Sequence, residues 1–259
     1  MNTSFTKYSA NGNHFILFDE MQDSASISAK AIQEWCHPTF GIGADGVASI
    51  SGHDNLDFTF RLWNSDGGEA EMCGNAARAA AYHYLTHHTQ KKEVRFKTMN
   101  AEYWARLEGE RLWLEMSEKK ESGSFDKSLF KNYLNAYFLD TGVPHLVLQV
   151  SDIEKINLMQ EAPLWRYHQM FTRGTNVDFI SVPDASQALV NLRVYERGVE
   201  GETWSCGTGV AAVGWACRTF FGWKSDIVVV TKGGEHRVRF VEDKLWYSGV
   251  IKLVFKGQF

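Results

Sequence analysis

Residues 57–63, from Asp57 to Trp63, alternate apolar and polar side chains with a period of two, as do residues 94–98 and 192–195. That period predicts strands with one face turned to a core. Two stretches have a different texture. Residues 76–85 are dominated by alanine, the residue with the highest helix propensity. Residues 210–217 are apolar on nearly every side, which predicts a helix surrounded by protein. A shorter helix is expected over 32–36, stopped by Pro38. A sheet curled around one apolar helix, made twice, accommodates both textures and puts the chain in the α/β (α+β) class.

The doubling is visible in the sequence. Gly12-Asn13-His14-Phe15 has a counterpart in Gly142-Val143-Pro144-His145, 130 residues later, and Gly43-Ala44-Asp45 answers Gly174-Thr175-Asn176. Arg61-Leu62-Trp63-Asn64 answers Arg193-Val194-Tyr195-Glu196. Glu69 and the Cys73-Gly74-Asn75 that follows it answer Glu202 and Cys206-Gly207-Thr208, and Thr98 with Glu102 answers Thr231 with Glu235. The order is kept while the offset drifts only from 130 to 133, so the chain reads as two homologous halves. The polar stretch 118–124 stands where a linker belongs.

Composition narrows the function. A net charge of -4 leaves no basic footprint for nucleic acid, so a small molecule is the expected partner. No apolar run reaches the ~18–20 residues a membrane helix needs, and the N-terminal stretch lacks the pattern of a signal peptide. Four cysteines, widely spaced and without a CxxC pair, suit reduced thiols in a cytoplasm better than a disulfide framework or a zinc ribbon. No metal and no cofactor are expected.

Two of those cysteines sit where chemistry would be placed. Cys73 and Cys206 each end a glycine-rich loop and open a predicted helix. A helix N-terminus carries unpaired N–H groups and a partial positive charge, which favour a thiolate and can hold a carboxylate. One cysteine before a helix is as well explained by packing. Two, related by an internal repeat, suit a racemisation in which one sulfur removes a Cα proton and the other returns one, should the halves face each other. Cys36, late in its helix, and Cys217, deep in an apolar one, are assigned to packing.

At these motifs the chain resembles the diaminopimelate epimerase family over essentially its whole length. The resemblance is carried by Gly12-Asn13-His14-Phe15, by 40–46, by Asn64-Ser65-Asp66-Gly67 and by 72–78. It continues through Gly142-Val143-Pro144-His145, 174–177, Tyr195-Glu196-Arg197-Gly198 and 205–209. It implies two pseudo-symmetric domains, each a mixed β-sheet or barrel wrapped around a central helix, with the active site between them. The final strand, 250–255, would return to the first half, giving residues 1–118 plus 249–259 and residues 119–248. The implied reaction interconverts LL- and meso-diaminopimelate without pyridoxal phosphate or metal, for lysine and cell-wall precursor synthesis. A cytoplasmic homodimer is the expected form.

Carried over by position, Cys73 and Cys206 are the acid/base pair, and His145 and Glu196 polarise the thiols. Asn13, with the backbone at Gly74, Asn75, Gly207 and Thr208, would hold the reacting amino acid's carboxylate and amine. Asn64, Asn176, Glu196 and Arg197 would hold the distal head, where a second carboxylate suits a bidentate guanidinium. Three positions depart from the family pattern: Val143 for a residue that is commonly asparagine, His14 for aspartate and Ala76 for glycine. Val143 removes one distal hydrogen bond, which leaves open a related racemase acting on histidine or a hydroxyproline. An isomerase of the phenazine-biosynthesis type would share the fold without using this cysteine pair. In a binding or redox-switch protein, Cys73 and Cys206 would instead form a regulatory disulfide.

Overall fold

A computed structural model describes residues 3–22, 27–116, 120–121 and 127–259. Of the stretch assigned to a linker, residues 118–119 and 122–124 lie outside the described residues, as do residues 1–2 of the N-terminal stretch. The chain divides into two compact units, one formed by residues 1–114 with 248–259, the other by residues 115–247.

The first unit begins with the antiparallel pair β1 (Ser4–Ala10) and β2 (Asn13–Asp19), followed by α1 (Ala29–Cys36). Next come β3 (Gly46–Ser51), β4 (Phe58–Asn64), the two-residue β5 (Glu69–Ala70) and α2 (Gly74–His87). The strands β6 (Glu93–Lys97), β7 (Glu102–Glu108) and β8 (Arg111–Glu115) complete the run. Strand β3 lies parallel to β2, and residues 46–50 are buried on both faces, as the middle of a covered parallel pair requires. The alternation over 57–63 becomes β4, with Phe58, Phe60 and Leu62 inside and Arg61 outside.

The second unit repeats this order. A short β9 (Lys120–Glu121) precedes β10 (Asn135–Asp140), β11 (Pro144–Gln149), α3 (Leu158–Arg166), β12 (Asn176–Asp184) and β13 (Leu189–Glu196). After them come β14 (Gly201–Thr203), α4 (Gly207–Phe221), β15 (Ile227–Thr231), β16 (Gly234–Val241) and β17 (Lys244–Gly249). The pairings repeat with the order. Phe15 faces Gly46 in the first parallel pair and His145 faces Asn176 in the second, a separation of 31 residues each time (15 to 46, 145 to 176). The last strand, β18 (Ile251–Gln258), pairs antiparallel with β1, as β9 does with β10.

Each unit wraps its sheet around its apolar helix. Helix α2 packs on β1, β2, β3, β4, β6, β7 and β18, and α4 packs on β10, β11, β12, β15 and β16. That explains the alanine-rich and apolar textures of the two segments: a helix enclosed on all sides has no polar face to offer water. Ala76, Ala77, Ala79, Ala80 and Ala81 are buried in α2, and small side chains let the strands close around it. The class is mixed α+β, with two pseudo-symmetric halves built around one central helix each.

Candidate active site

The two cysteines occupy the same local position. Cys73 is the N-cap of α2 and Cys206 the N-cap of α4, both in extended backbone conformation. Their carbonyls accept the first helical bonds, from Ala77 N–H and Val210 N–H, each at 2.9 Å. Gly74 and Gly207 are then the first helical residues, with N–H groups that have no intrahelical acceptor. A side chain at Gly207 is excluded, since a Cβ there would stand 2.7 Å from the Tyr247 hydroxyl.

In the second unit Cys206 is one end of a chain of polar contacts. Its Sγ lies 3.3 Å from Thr208 Oγ1, which lies 3.0 Å from His145 Nε2. His145 Nδ1 stands 2.7 Å from Asp178 Oδ2, and both of these side chains are fully buried. One assignment of protons satisfies every step: Asp178 accepts from Nδ1–H, Nε2 accepts from the Thr208 hydroxyl, and Thr208 Oγ1 accepts from the thiol. Gly209 seals this chain, because a Cβ at that position would sit 3.1 Å from Asp178 Oδ1, 3.4 Å from His145 Cε1 and 3.5 Å from Cys206 Cβ.

The electrostatics of Cys206 reverse what its helix position predicts. Burial pushes its thiol well above the ordinary value, and the carboxylates of Glu196 and Asp178 push it further. The Thr208 hydroxyl and the Gly209 N–H act the other way and are outweighed. Removing a charge from water outweighs the attraction of a few backbone dipoles. Glu196, at the end of β13, is itself pushed up, chiefly by burial and less by Asp178, against the opposing pulls of the Thr203 hydroxyl and His145.

Nearby groups are held by the scaffold. Asn176 Nδ2 donates to the Pro144 carbonyl at 2.9 Å, and its Oδ1 accepts from Arg197 N–H at 2.8 Å. Arg197 Nη1 donates to the Arg173 carbonyl at 2.9 Å. Val143 is half-buried.

In the first unit Cys73 is half-buried, and the helix start that follows it carries a network of amides. Asn13 Oδ1 accepts from Asn75 Nδ2 at 2.7 Å, and Asn75 Oδ1 accepts from Arg78 Nη2 at 2.7 Å. The same guanidinium nitrogen donates to Asn11 Oδ1 at 2.9 Å, and Arg78 is fully buried. Asn75, expected to contribute its backbone, also orients Asn13 through its side chain. Asn64, at the exposed end of β4, closes a turn through its backbone, with Asn64 N–H bonded to Gly68 O and Gly67 N–H bonded to Asn64 O. Cys36 and Cys217 are buried in the core, and burial pushes their thiols up to about 11 and about 12.

Asp178, Arg78 and the Thr208 side chain are absent from the set that the sequence motifs single out. Asp178 left a signal. It is the one charge in the apolar run Val177-Asp178-Phe179-Ile180, two residues after Asn176 and therefore on the same strand face. Arg78 left a similar one, a lone arginine among alanines. A third cluster, Asp19 with His83 and His88, lies elsewhere in the first unit and has the atoms to hold a metal ion.

The family model for diaminopimelate epimerase matches residues 5–118 and 137–254. A diaminopimelate epimerase from Methanocella arvoryzae is 34% identical over 98% of this chain and 95% of that relative. One from Nitratiruptor sp. is 34% identical over 96% of each. Among solved structures, a phenazine biosynthesis protein of the PhzF family from Bacillus anthracis superposes with a TM-score of 0.76 at 12% identity. That match covers 100% of this chain and 99% of that one, a likeness of fold alone. With a cysteine at the head of each central helix and a family match running through both halves, the chain belongs to the diaminopimelate epimerase family.

Proposed function

We propose that this protein epimerises LL-diaminopimelate to meso-diaminopimelate, with Cys73 and Cys206 as the acid/base pair and no pyridoxal phosphate or metal in the reaction. The observation that carries the reading is the repeated N-cap cysteine, one at each central helix, in a chain of this family. One thiolate removes the Cα proton and the opposing thiol supplies one. Residues 1–118 plus 249–259 and residues 119–248 are the two epimerase halves of that scheme.

Because burial holds Cys206 as a thiol, its use as a base needs a proton acceptor connected to it. The chain through Thr208 supplies one. The thiol proton passes to Thr208 Oγ1 as the Thr208 proton passes to His145 Nε2, leaving a thiolate and an imidazolium paired with Asp178. Glu196 adds negative charge that keeps the thiol protonated until substrate enters. Gly74 and Asn75, with Gly207 and Thr208, offer helix-start N–H groups to the substrate carboxylate, and Asn13 takes the amine. Asn64, Asn176, Glu196 and Arg197 receive the distal head. The enzyme works as a homodimer in the cytoplasm, where thiols stay reduced.

The test is exchange in deuterated buffer. LL-diaminopimelate should acquire deuterium at Cα as it converts to the meso form, and histidine, proline and hydroxyproline should not exchange. Val143 and the scaffold-bound amide of Asn176 are the features that would favour a related racemase. Exchange of one of those three amino acids, without exchange of diaminopimelate, would establish it instead.

A further inference from the structure

Asp19 ends β2, His83 lies in the last turns of α2, and His88 is that helix's C-cap. The tertiary fold brings all three together, with side chains only 12%, 5% and 16% exposed respectively. His83 Nε2 stands 3.2 Å from Asp19 Oδ2, and His88 Nε2 stands 2.6 Å from that same oxygen. Both imidazoles therefore converge on one carboxylate oxygen. His87, one turn after His83 and the more obvious helical partner by spacing, is held aside: its Nδ1 lies 3.0 Å from the His83 carbonyl and its ring stacks on His83 at 4.3 Å.

The surroundings are those of a supported ligand set. Tyr8 Oη lies 3.0 Å from His83 Nδ1, a partner that can accept a hydrogen bond from Nδ1–H and leave Nε2 unprotonated. Asp19 Oδ1 accepts from Met21 N–H at 3.2 Å, which fixes the plane of the carboxylate. A cavity of about 520 Å³ lined by Asp19, His83, His87 and Gln22, among others, adjoins the cluster and gives room for water or an outer ligand.

We infer that Asp19, His83 and His88 form a binding site for a divalent first-row transition ion, with Zn²⁺ the best suited. Two imidazole nitrogens and one carboxylate oxygen with open positions beside them are a recurring set for such ions; Mg²⁺ and Ca²⁺ prefer all-oxygen shells. In the apo state the imidazole protons occupy the place of the ion, donating to Asp19. On binding, the ion takes the place of those protons, each neutral ring keeping its one proton on Nδ1 (for His83, facing Tyr8 Oη). His88 opens to coordination distance, which its position at the helix end allows. The sequence shows no metal spacing because Asp19 lies 64 residues from His83. The site is made within the first unit and does not depend on the epimerase assignment.

The experiment titrates ZnCl₂ into the EDTA-treated full-length protein by calorimetry and repeats it with CoCl₂ followed by visible absorption. One equivalent should bind, raise Tm, and give a cobalt spectrum without a thiolate charge-transfer band. His88→Asn, at a helix cap that tolerates asparagine, should weaken binding at least about tenfold, and Tyr8→Phe, which removes only the supporting hydroxyl, by roughly tenfold. Circular dichroism of each variant controls for folding, and the two stand in for one another if either fails to fold. The inference is overturned by an absence of saturable one-equivalent binding, by a thiolate band showing that cysteines hold the ion, or by unchanged affinity in the folded variants.

Discussion

The helix starts of the two units share a topology and differ in chemistry. At α2 the cysteine is half-buried, and the helix start that follows it carries amides braced by a buried guanidinium, Asn13 to Asn75 to Arg78 to Asn11. At α4 the cysteine is buried and wired through Thr208 to a histidine–aspartate pair, with Glu196 adding a further carboxyl. A repeat preserves backbone geometry because pairing register and helix enclosure demand it. Side chains at matching positions are free to diverge once the fold is secured. His145 answers Phe15 and Asp178 answers Ala48 in this register, so the histidine–aspartate pair exists in one half only. Similar helix dipoles thus act in dissimilar surroundings, and at Cys206 the surroundings win.

The largest effect that separates function from framework is loss of either thiol. Cys73→Ala and Cys206→Ala should each lower epimerisation by at least about a thousandfold, with circular dichroism unchanged. Near-normal turnover in either would remove the two-thiol mechanism.

Arg197→Met comes next. A charge-assisted bond to a distal carboxylate contributes ~1.5–3 kcal/mol, so diaminopimelate kcat/KM should fall roughly ten- to several-hundredfold. Kinetics indistinguishable from wild type would take Arg197 out of the distal site.

Thr208→Val tests the wiring. It keeps the shape and removes the hydroxyl, so kcat should fall about ten- to a hundredfold, while Thr208→Ser restores it. Equal rates in the valine and serine variants would show that the hydroxyl carries no proton. In the other unit Asn75→Ala should instead act on the framework, costing about 1–3 kcal/mol in chemical denaturation because Arg78 loses a buried acceptor.

The smallest effect concerns the turn that feeds β14. Glu200 adopts a left-handed φ of 54° and is fixed by the Tyr167 hydroxyl, Arg166 and Gly198 N–H. The Tyr167 bond leads the causes that hold its carboxyl down at about 2. A depressed carboxyl stabilises the fold above its unfolded value near 4.5, and that contribution is lost as pH falls from there toward 2. Tyr167→Phe should therefore flatten the acid decline of Tm across that window. An unaltered decline would assign the acid sensitivity elsewhere.

The sequence by itself determined the class, the doubling, the two central helices and the family. Each of these rests on local periodicity or on motifs that stay contiguous in the chain. The period-two stretch at 57–63, the alanine-rich run before Leu85 and the apolar run after Cys206 become β4, α2 and α4 because enclosure by a sheet rewards those patterns directly. What only the tertiary structure decided is which polar groups meet. Asp178 reaches His145 across a strand register, Arg78 reaches Asn11 across 67 residues, and Asp19 reaches His83 and His88 from a different element. The ionisation of Cys206 belongs with them. A helix start can be read from one segment, whereas burial and the carboxylates of β12 and β13 come from the packing of many, and in a low-dielectric interior those distant groups outweigh the local dipole.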